Sequence, residues 1–282
     1  MLGHKLVQLL QQDFEVFVTL RNKFDKYEKF GIFDRGSVFD SVDLMLEEPI
    51  SSVIRDLKPD ALINAAGIVK QLPSAHNVIE TLSINSILPH RLAELSANLG
   101  FRLISISTDC VFSGSKGNYS EADVADAPDL YGKSKHLGEV TDRNCFTLRT
   151  SIIGRELETR HGLLEWFLEN RNGTVKGYSK AIFSGFPTVV FSGIIRDILI
   201  DHPNLAGLYH VSSEGISKLE LLQLINRRFE ANVEIESDGE VRIERSLNSD
   251  RFGKETGFEP LAWPEMIDLL ALDAVGNDNY SK

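Results

Sequence analysis

Apolar and polar positions alternate along this chain in two rhythms. Leu2, Leu6, Leu9 and Leu10 share one helical face and predict an opening helix over residues 2–10. Residues 15–20 (Glu-Val-Phe-Val-Thr-Leu) read as a short strand, and residues 35–44 carry no clear period. Residues 53–57 read as the end of a helix, which Lys58-Pro59-Asp60 breaks. Residues 61–64 form a buried strand running into Asn64-Ala65-Ala66-Gly67. Residues 84–99 predict a long helix across Pro89, stopped by Gly100. A strand over 101–107, a helix over 131–141 and a strand over 145–149 follow. Helix alternating with apolar strand predicts an α/β fold: a doubly wound, mostly parallel sheet covered on both faces.

After Ile153 the rhythm loosens. Helices are predicted over 163–169, 189–201, 218–229 and 261–270, and strands over 207–212 and 233–236. The polar residues 276–282 read as a frayed tail. The chain therefore divides into a main domain over 1–153 and a smaller lobe over 154–275, some of whose segments return to the main domain.

Composition narrows the function classes. The 282 residues carry a net charge of -11, with 42% hydrophobic and 25% charged residues, as in globular proteins. That acidity argues against a nucleic-acid surface, which needs a basic footprint. Cys110 and Cys145 form no CxxC pair, so neither a disulfide scaffold nor a metal site is expected. No apolar run reaches 18 residues, so no membrane span is expected. The start has no signal-peptide layout, and a cytoplasmic location is the default expectation.

The chemistry concentrates in Asp129-Leu-Tyr-Gly-Lys-Ser-Lys135. Tyr131 and Lys135 stand four apart and share a helix face. An ammonium beside a phenol favours the phenolate, so a depressed tyrosine pKa is expected. The start of the chain is unusual. A doubly wound nucleotide-binding domain opens with a strand, a glycine-rich turn and then a helix. Here Met1-Leu2-Gly3-His4-Lys5 reads as the end of such a turn, with Leu2 and Gly3 at the cofactor and the first strand and two glycines missing. Either the sequence starts at an internal methionine of a longer frame, or the protein lacks that strand. A plain helix-start glycine is the remaining alternative.

Five segments together resemble the extended short-chain dehydrogenase/reductase superfamily, and within it the dTDP-4-dehydrorhamnose reductase family. They are Asn64-Ala-Ala-Gly67, Ile84-Asn85 with its helix, Ser105-Ile-Ser-Thr-Asp-Cys-Val-Phe-Ser-Gly114, Tyr131-Gly-Lys-Ser-Lys135 and Leu148-Arg-Thr150. The resemblance implies a Rossmann-like domain and a C-terminal substrate-binding lobe. It implies that Thr108 holds the substrate C4 oxygen, Tyr131 donates a proton to it, and Lys135 tunes the tyrosine and holds the nicotinamide ribose. Asn64, Ala65, Ala66 and Gly67 would form the loop beneath the cofactor, where small residues permit close approach. Arg21, after the second family strand, would favour NADPH by meeting its 2'-phosphate, with NADH as the alternative. A surface arginine is the competing reading, since Lys23 and Lys26 lie nearby. Ser107 supports the strand end, and Asn85 braces backbone.

The substrate side departs from the family. Lys70, with Gln71, contacts sugar or phosphate, or lies on plain surface. Asp109, Cys110, Arg149, Phe183 and Ser184 are the other substrate candidates, while Trp166 reads as core. The expected reaction is reduction of a nucleoside-diphosphate 6-deoxy-4-keto sugar for surface polysaccharide, with a homodimer as an open arrangement. A reductase or epimerase of UDP-linked 2-acetamido-2,6-dideoxy-4-keto sugars and a noncatalytic sugar-nucleotide-fold regulatory subunit are the alternatives. Dehydration is disfavoured because Asp109-Cys110, not an acidic pair, follows Thr108. No GxSxG hydrolase elbow occurs.

Overall fold

The computed structural model describes residues 1–275. The 276–282 tail expected from the sequence lies outside the described residues. The chain opens with helix α1 (Leu2–Leu10), whose Leu2, Leu6 and Leu10 are buried as their spacing requires. Strand β1 (Val18–Thr19), helix α2 (Asp25–Glu28) and strand β2 (Val38–Phe39) follow. The strand expected over 15–20 is thus only two residues long, and it pairs in parallel with β2 in a small sheet of its own.

Helix α3 (Glu47–Leu57) leads into β3 (Ala61–Asn64), and Lys58 caps the helix in the left-handed conformation. The helix expected over 84–99 is composite. It consists of α4 (Val78–Leu82), a π-turn (Ser83–Ile87) and α5 (Leu88–Leu99), with Pro89 at the point where the π-turn passes into α5. Strand β4 (Arg102–Thr108), helix α6 (Leu130–Leu137) and strand β5 (Cys145–Thr150) complete the first half.

The second half runs through β6 (Ile152–Ile153), α7 (Leu163–Glu169), β7 (Thr174–Phe183) and β8 (Phe186–Pro187). It continues through α8 (Thr188–Asp201), β9 (Gly207–His210), β10 (Ile216–Ser217) and α9 (Lys218–Arg228). Strand β11 (Glu234–Glu244), α10 (Asp250–Thr256) and α11 (Trp263–Val275) end the described chain. The main sheet has the order β3-β4-β5-β9, parallel throughout. A second sheet has the order β10-β7-β11, and β6 pairs with β8.

Apolar packing covers both faces of the main sheet. Leu103 on β4 and Cys145 on β5 pack with Ile54 of α3 and Leu92 of α5. Ile104 and Phe146 face the other way, into a cluster with α1, Phe191 and Ile195 of α8 and Met266 of α11. Successive strand residues point to opposite faces, so consecutive apolar residues serve two cores. Burying each such side chain contributes roughly 1.5–3 kcal/mol. The larger cluster continues past residue 153, and β9 joins the main sheet, so the second half is built into the first. No helix among the described residues is long and apolar enough to cross a membrane. Among them, no group of three His, Cys, Asp or Glu side chains is placed to hold a metal ion.

Candidate active site

The site forms where β4 ends. Thr108 is its last residue and is buried; its Oγ1 donates to Asp109 Oδ1 (3.1 Å) and accepts from the Cys110 backbone N–H (3.1 Å). A 3-10 turn, Asp109–Val111, carries the chain away. It returns at α6, where Asp129 Oδ1 accepts from Gly132 N–H (2.8 Å), satisfying one free N–H of the helix start.

Two glycines let α6 seat against this turn. A Cβ at Gly132 would lie 2.2 Å from the Cys110 carbonyl oxygen and 2.4 Å from Ala127 Cβ. A Cβ at Gly138, just past the helix, would lie 2.0 Å from the Asn85 carbonyl oxygen. Asn85 stands on the π-turn; its Nδ2 donates to Ile68 O (2.9 Å) and Ser134 Oγ (3.1 Å), and its Oδ1 accepts from Ile68 N–H (2.8 Å). Ser86 Oγ adds a bond to Ser134 O (2.8 Å). Asn85 therefore braces backbone, as its sequence context implied, and the π-turn is the device that aims it.

Tyr131 and Lys135 occupy the face of α6 turned toward β4, and Lys135 Nζ donates to Ile106 O (2.6 Å). Burial lowers the Lys135 pKa to about 8, against the opposing pull of Glu139. The Tyr131 phenol is held above its ordinary value, which corrects the expectation of a depressed one. Burial is the main cause; Cys110, Asp109 and Asp129 add to it, and the hydrogen-bonding Thr108 hydroxyl opposes it. The neutral phenol is thus a proton donor rather than a resting phenolate. Lys70 Nζ donates to Asp129 Oδ2 (2.6 Å) and stands 5.6 Å from the Tyr131 ring centre, so it belongs to the same site. Burial raises the pKa of Asp109, with Arg245 and Lys218 opposing, and pushes the Cys110 thiol up to about 11.

The sequence profile of the RmlD substrate binding domain family matches residues 1–244. The chain belongs to this family. It is 29% identical over 232 residues to the spore coat polysaccharide biosynthesis protein SpsK of Bacillus subtilis, covering 74% of this chain and 78% of SpsK. It is also 29% identical over 210 residues to methionine adenosyltransferase 2 subunit beta of Rattus norvegicus, covering 65% of this chain and 58% of that protein. Among solved structures, dTDP-4-dehydrorhamnose reductase of Bacillus anthracis in complex with NADP superposes with a TM-score of 0.74 at 19% identity. That superposition covers 92% of this chain and 99% of the other.

The remaining candidates of this RmlD-family chain divide into those near the site and those spent on packing. Asn64 ends β3, and its Oδ1 accepts from Ala66 N–H (3.3 Å), turning the chain through Ala65, Ala66 and Gly67 beside the end of β4. Arg21 lies just beyond β1 with a 73% exposed side chain and a long 3.5 Å contact to Glu80. The Leu2 side chain is in the core, whereas a Cβ at Gly3 would meet nothing within 4 Å. Trp166, expected in the core, is partly exposed.

Three substrate candidates are used internally instead. Arg149 is buried and bonded to Glu139 and His210. Phe183 packs in the main core, 5.6 Å from Trp263 ring to ring. Ser184 is buried; its Oγ accepts from Leu247 N–H (3.2 Å). Arg245 was not legible in sequence. It reaches from beyond β11 to donate to Phe112 O (2.8 Å) and Ser113 O (3.3 Å), with Cys110 Sγ at 4.0 Å. No local motif marks it, because only the tertiary fold brings it to the Thr108 turn.

Proposed function

We propose that this protein reduces the 4-keto group of a nucleoside-diphosphate 6-deoxy-4-keto sugar with NADPH, in the making of a surface polysaccharide. One observation carries the reading: Thr108, a neutral Tyr131 and Lys135 meet at the carboxyl end of a parallel strand, where such sheets take ligands. The residues present suit a nicotinamide cofactor. The 64–67 turn offers small side chains beside that strand end, and Lys135 uses one ammonium N–H on Ile106 O, leaving two for ribose hydroxyls. Arg21 presents an exposed cation for a 2'-phosphate. When bound, the cofactor supplies the hydride.

The protein's own residues do the rest. The Thr108 hydroxyl orients the C4 oxygen. Tyr131 gives its proton to that oxygen, and the Lys135 ammonium stabilises the phenolate left behind. Lys70, Asp109 and Cys110 form the edge that faces the sugar nucleotide.

Incubating purified protein and NADPH with dTDP- and UDP-linked 4-keto sugars tests this directly. Consumption of NADPH with formation of the matching alcohol is expected, together with its loss in Tyr131→Phe at unchanged thermal stability. Near-normal turnover in that variant would refute the assigned acid. The likeness to a subunit named beta favours one second reading, a noncatalytic regulatory subunit. Absence of turnover on every sugar, with stable capture of a second protein, would establish it instead.

A further inference from the structure

A buried ionic chain stands behind the reactive residues. Ser107, Arg149 and His210 are register partners on β4, β5 and β9, so their side chains form a row across one face of the sheet. Glu139, just past α6, closes the row. Its Oε1 accepts from Ser107 Oγ (2.6 Å) and Arg149 Nε (2.7 Å), and its Oε2 from Arg149 Nη2 (2.7 Å) and His136 Nδ1 (2.9 Å). Arg149 Nη1 donates to His210 Nε2 (3.1 Å), and His210 Nδ1 donates to Tyr119 O (2.9 Å). A carbonyl only accepts, so the imidazole is neutral with its proton on Nδ1. Phe112 seals the chain, stacked on Tyr119 at 4.1 Å with the Arg149 guanidinium 5.1 Å from its ring centre.

We propose that Glu139, clamped by Arg149 and through it tied to His210, is a positioning residue that fixes α6 against β4 and so sets the place and surroundings of Lys135.

The geometry ties together the two halves of the reactive set. Ser107 immediately precedes Thr108 on β4. Glu139 lies four residues after Lys135 and eight after Tyr131. One carboxylate therefore links the strand carrying the hydroxyl to the helix carrying the phenol and ammonium. A buried carboxylate with four donors has little freedom to move. The charged bonds of Arg149 are directed and bidentate, which fixes orientation as well as distance. Glu139 is also the carboxylate that holds the half-buried Lys135 toward its charged form. Lys135 is otherwise faced by the Ile106 carbonyl from β4. Glu139 is faced by His136 from α6, Ser107 from β4 and Arg149 from β5; His210 and Glu121 lie one step beyond.

The proposal rests on the reductase reading only for its kinetic arm, so the test has one arm that needs no turnover. Competitive acetylation of Lys135, followed by mass spectrometry across pH, reports the titration of this amine in wild type and Glu139→Gln. Lys135 titrates near pH 8 in wild type, and the variant is expected to titrate about half to one pH unit lower. In the kinetic arm, kcat is expected to fall about tenfold with KM nearly unchanged, a loss of about 1.4 kcal/mol in the chemical step. The alkaline limb of kcat should move down with the Lys135 titration. If Glu139→Gln does not fold, Glu139→Gln with Arg149→Met removes the guanidinium that the single variant leaves unpaired and carries the same labelling readout. An unchanged Lys135 titration in a folded variant would overturn the proposal and leave the chain a purely structural one. A shifted titration in a protein that reduces no 4-keto sugar would sink the reductase reading and leave the positioning role standing.

Discussion

Among the described residues Lys70 pairs with Asp129 and stands beside the Tyr131 ring, and the two weigh differently. Its pair with Asp129 is partly exposed on both sides, and such pairs contribute only about 0–1 kcal/mol to stability. Its ammonium beside the Tyr131 ring is better placed for an anionic substrate than for the fold. A charge-assisted bond to a substrate phosphate is worth about 1.5–3 kcal/mol. Lys70→Met is therefore expected to leave the unfolding midpoint nearly unchanged and to raise KM for the sugar nucleotide about tenfold or more. Steady-state kinetics beside thermal unfolding checks this. A lower melting temperature with unchanged KM would assign Lys70 to the structure, through the Asp129 cap of α6.

The helix that carries Tyr131 and Lys135 depends on two missing side chains. At Gly138 the obstacle to a Cβ is the Asn85 carbonyl oxygen, a backbone atom that cannot rotate aside. Overpacking of this kind costs about 1–3 kcal/mol. Gly138→Ala is expected to lower the urea midpoint with an unchanged m-value, and to reduce kcat as α6 lifts from the π-turn. A variant with wild-type stability and kcat would show that the seat yields freely. The same elements show what sequence could and could not convey. Tyr131 and Lys135 were legible because their spacing follows the helix period, and Thr108 and the 64–67 turn because the resemblance to a known family singled them out. The end of α6 at Leu137, four residues short of the expected 141, was not legible, because the sharp turn at Gly138 answers to Asn85 across space. Strand β7 was missed because Gly177 and Ser179 interrupt its apolar alternation; Gly177 is required there by the close approach of Leu219 on α9. Helix α10 was missed because Phe252 is its one buried residue, too little for a stripe. Arg149 misled for the opposite reason. A charged residue at a strand end resembles a ligand contact, and only the arrival of Glu139 and His210 shows that its donors are used.

At the scale of the whole molecule, His210 connects stability to pH. It lies on β9, the strand by which the second half joins the main sheet, and it is fully buried. Burial is the main cause that lowers its pKa from 6.5 to about 4, with Arg149 acting in the same direction and Glu121 opposing. The folded state therefore holds His210 neutral, while the unfolded chain takes up a proton below pH 6.5. Stability rises with pH wherever the unfolded state binds more protons. The contribution of His210 is thus fully present above pH 6.5 and is lost progressively as pH falls toward about 4. Glu139 extends the decline, since its bonds to Arg149 hold its carboxyl below the ordinary value and are lost only on further acidification. Because the larger apolar cluster spans both halves, this loss should appear in a single transition rather than in one lobe first. Urea unfolding followed by circular dichroism and by tryptophan fluorescence between pH 7 and pH 4 is expected to give coincident midpoints that fall together. His210→Gln, which keeps an acceptor for Arg149 but cannot take the proton, should flatten the slope between pH 6.5 and 4. An unaltered slope in that variant would move the origin of the acid sensitivity to other groups, with His4, another buried histidine of strongly lowered pKa, the next to replace.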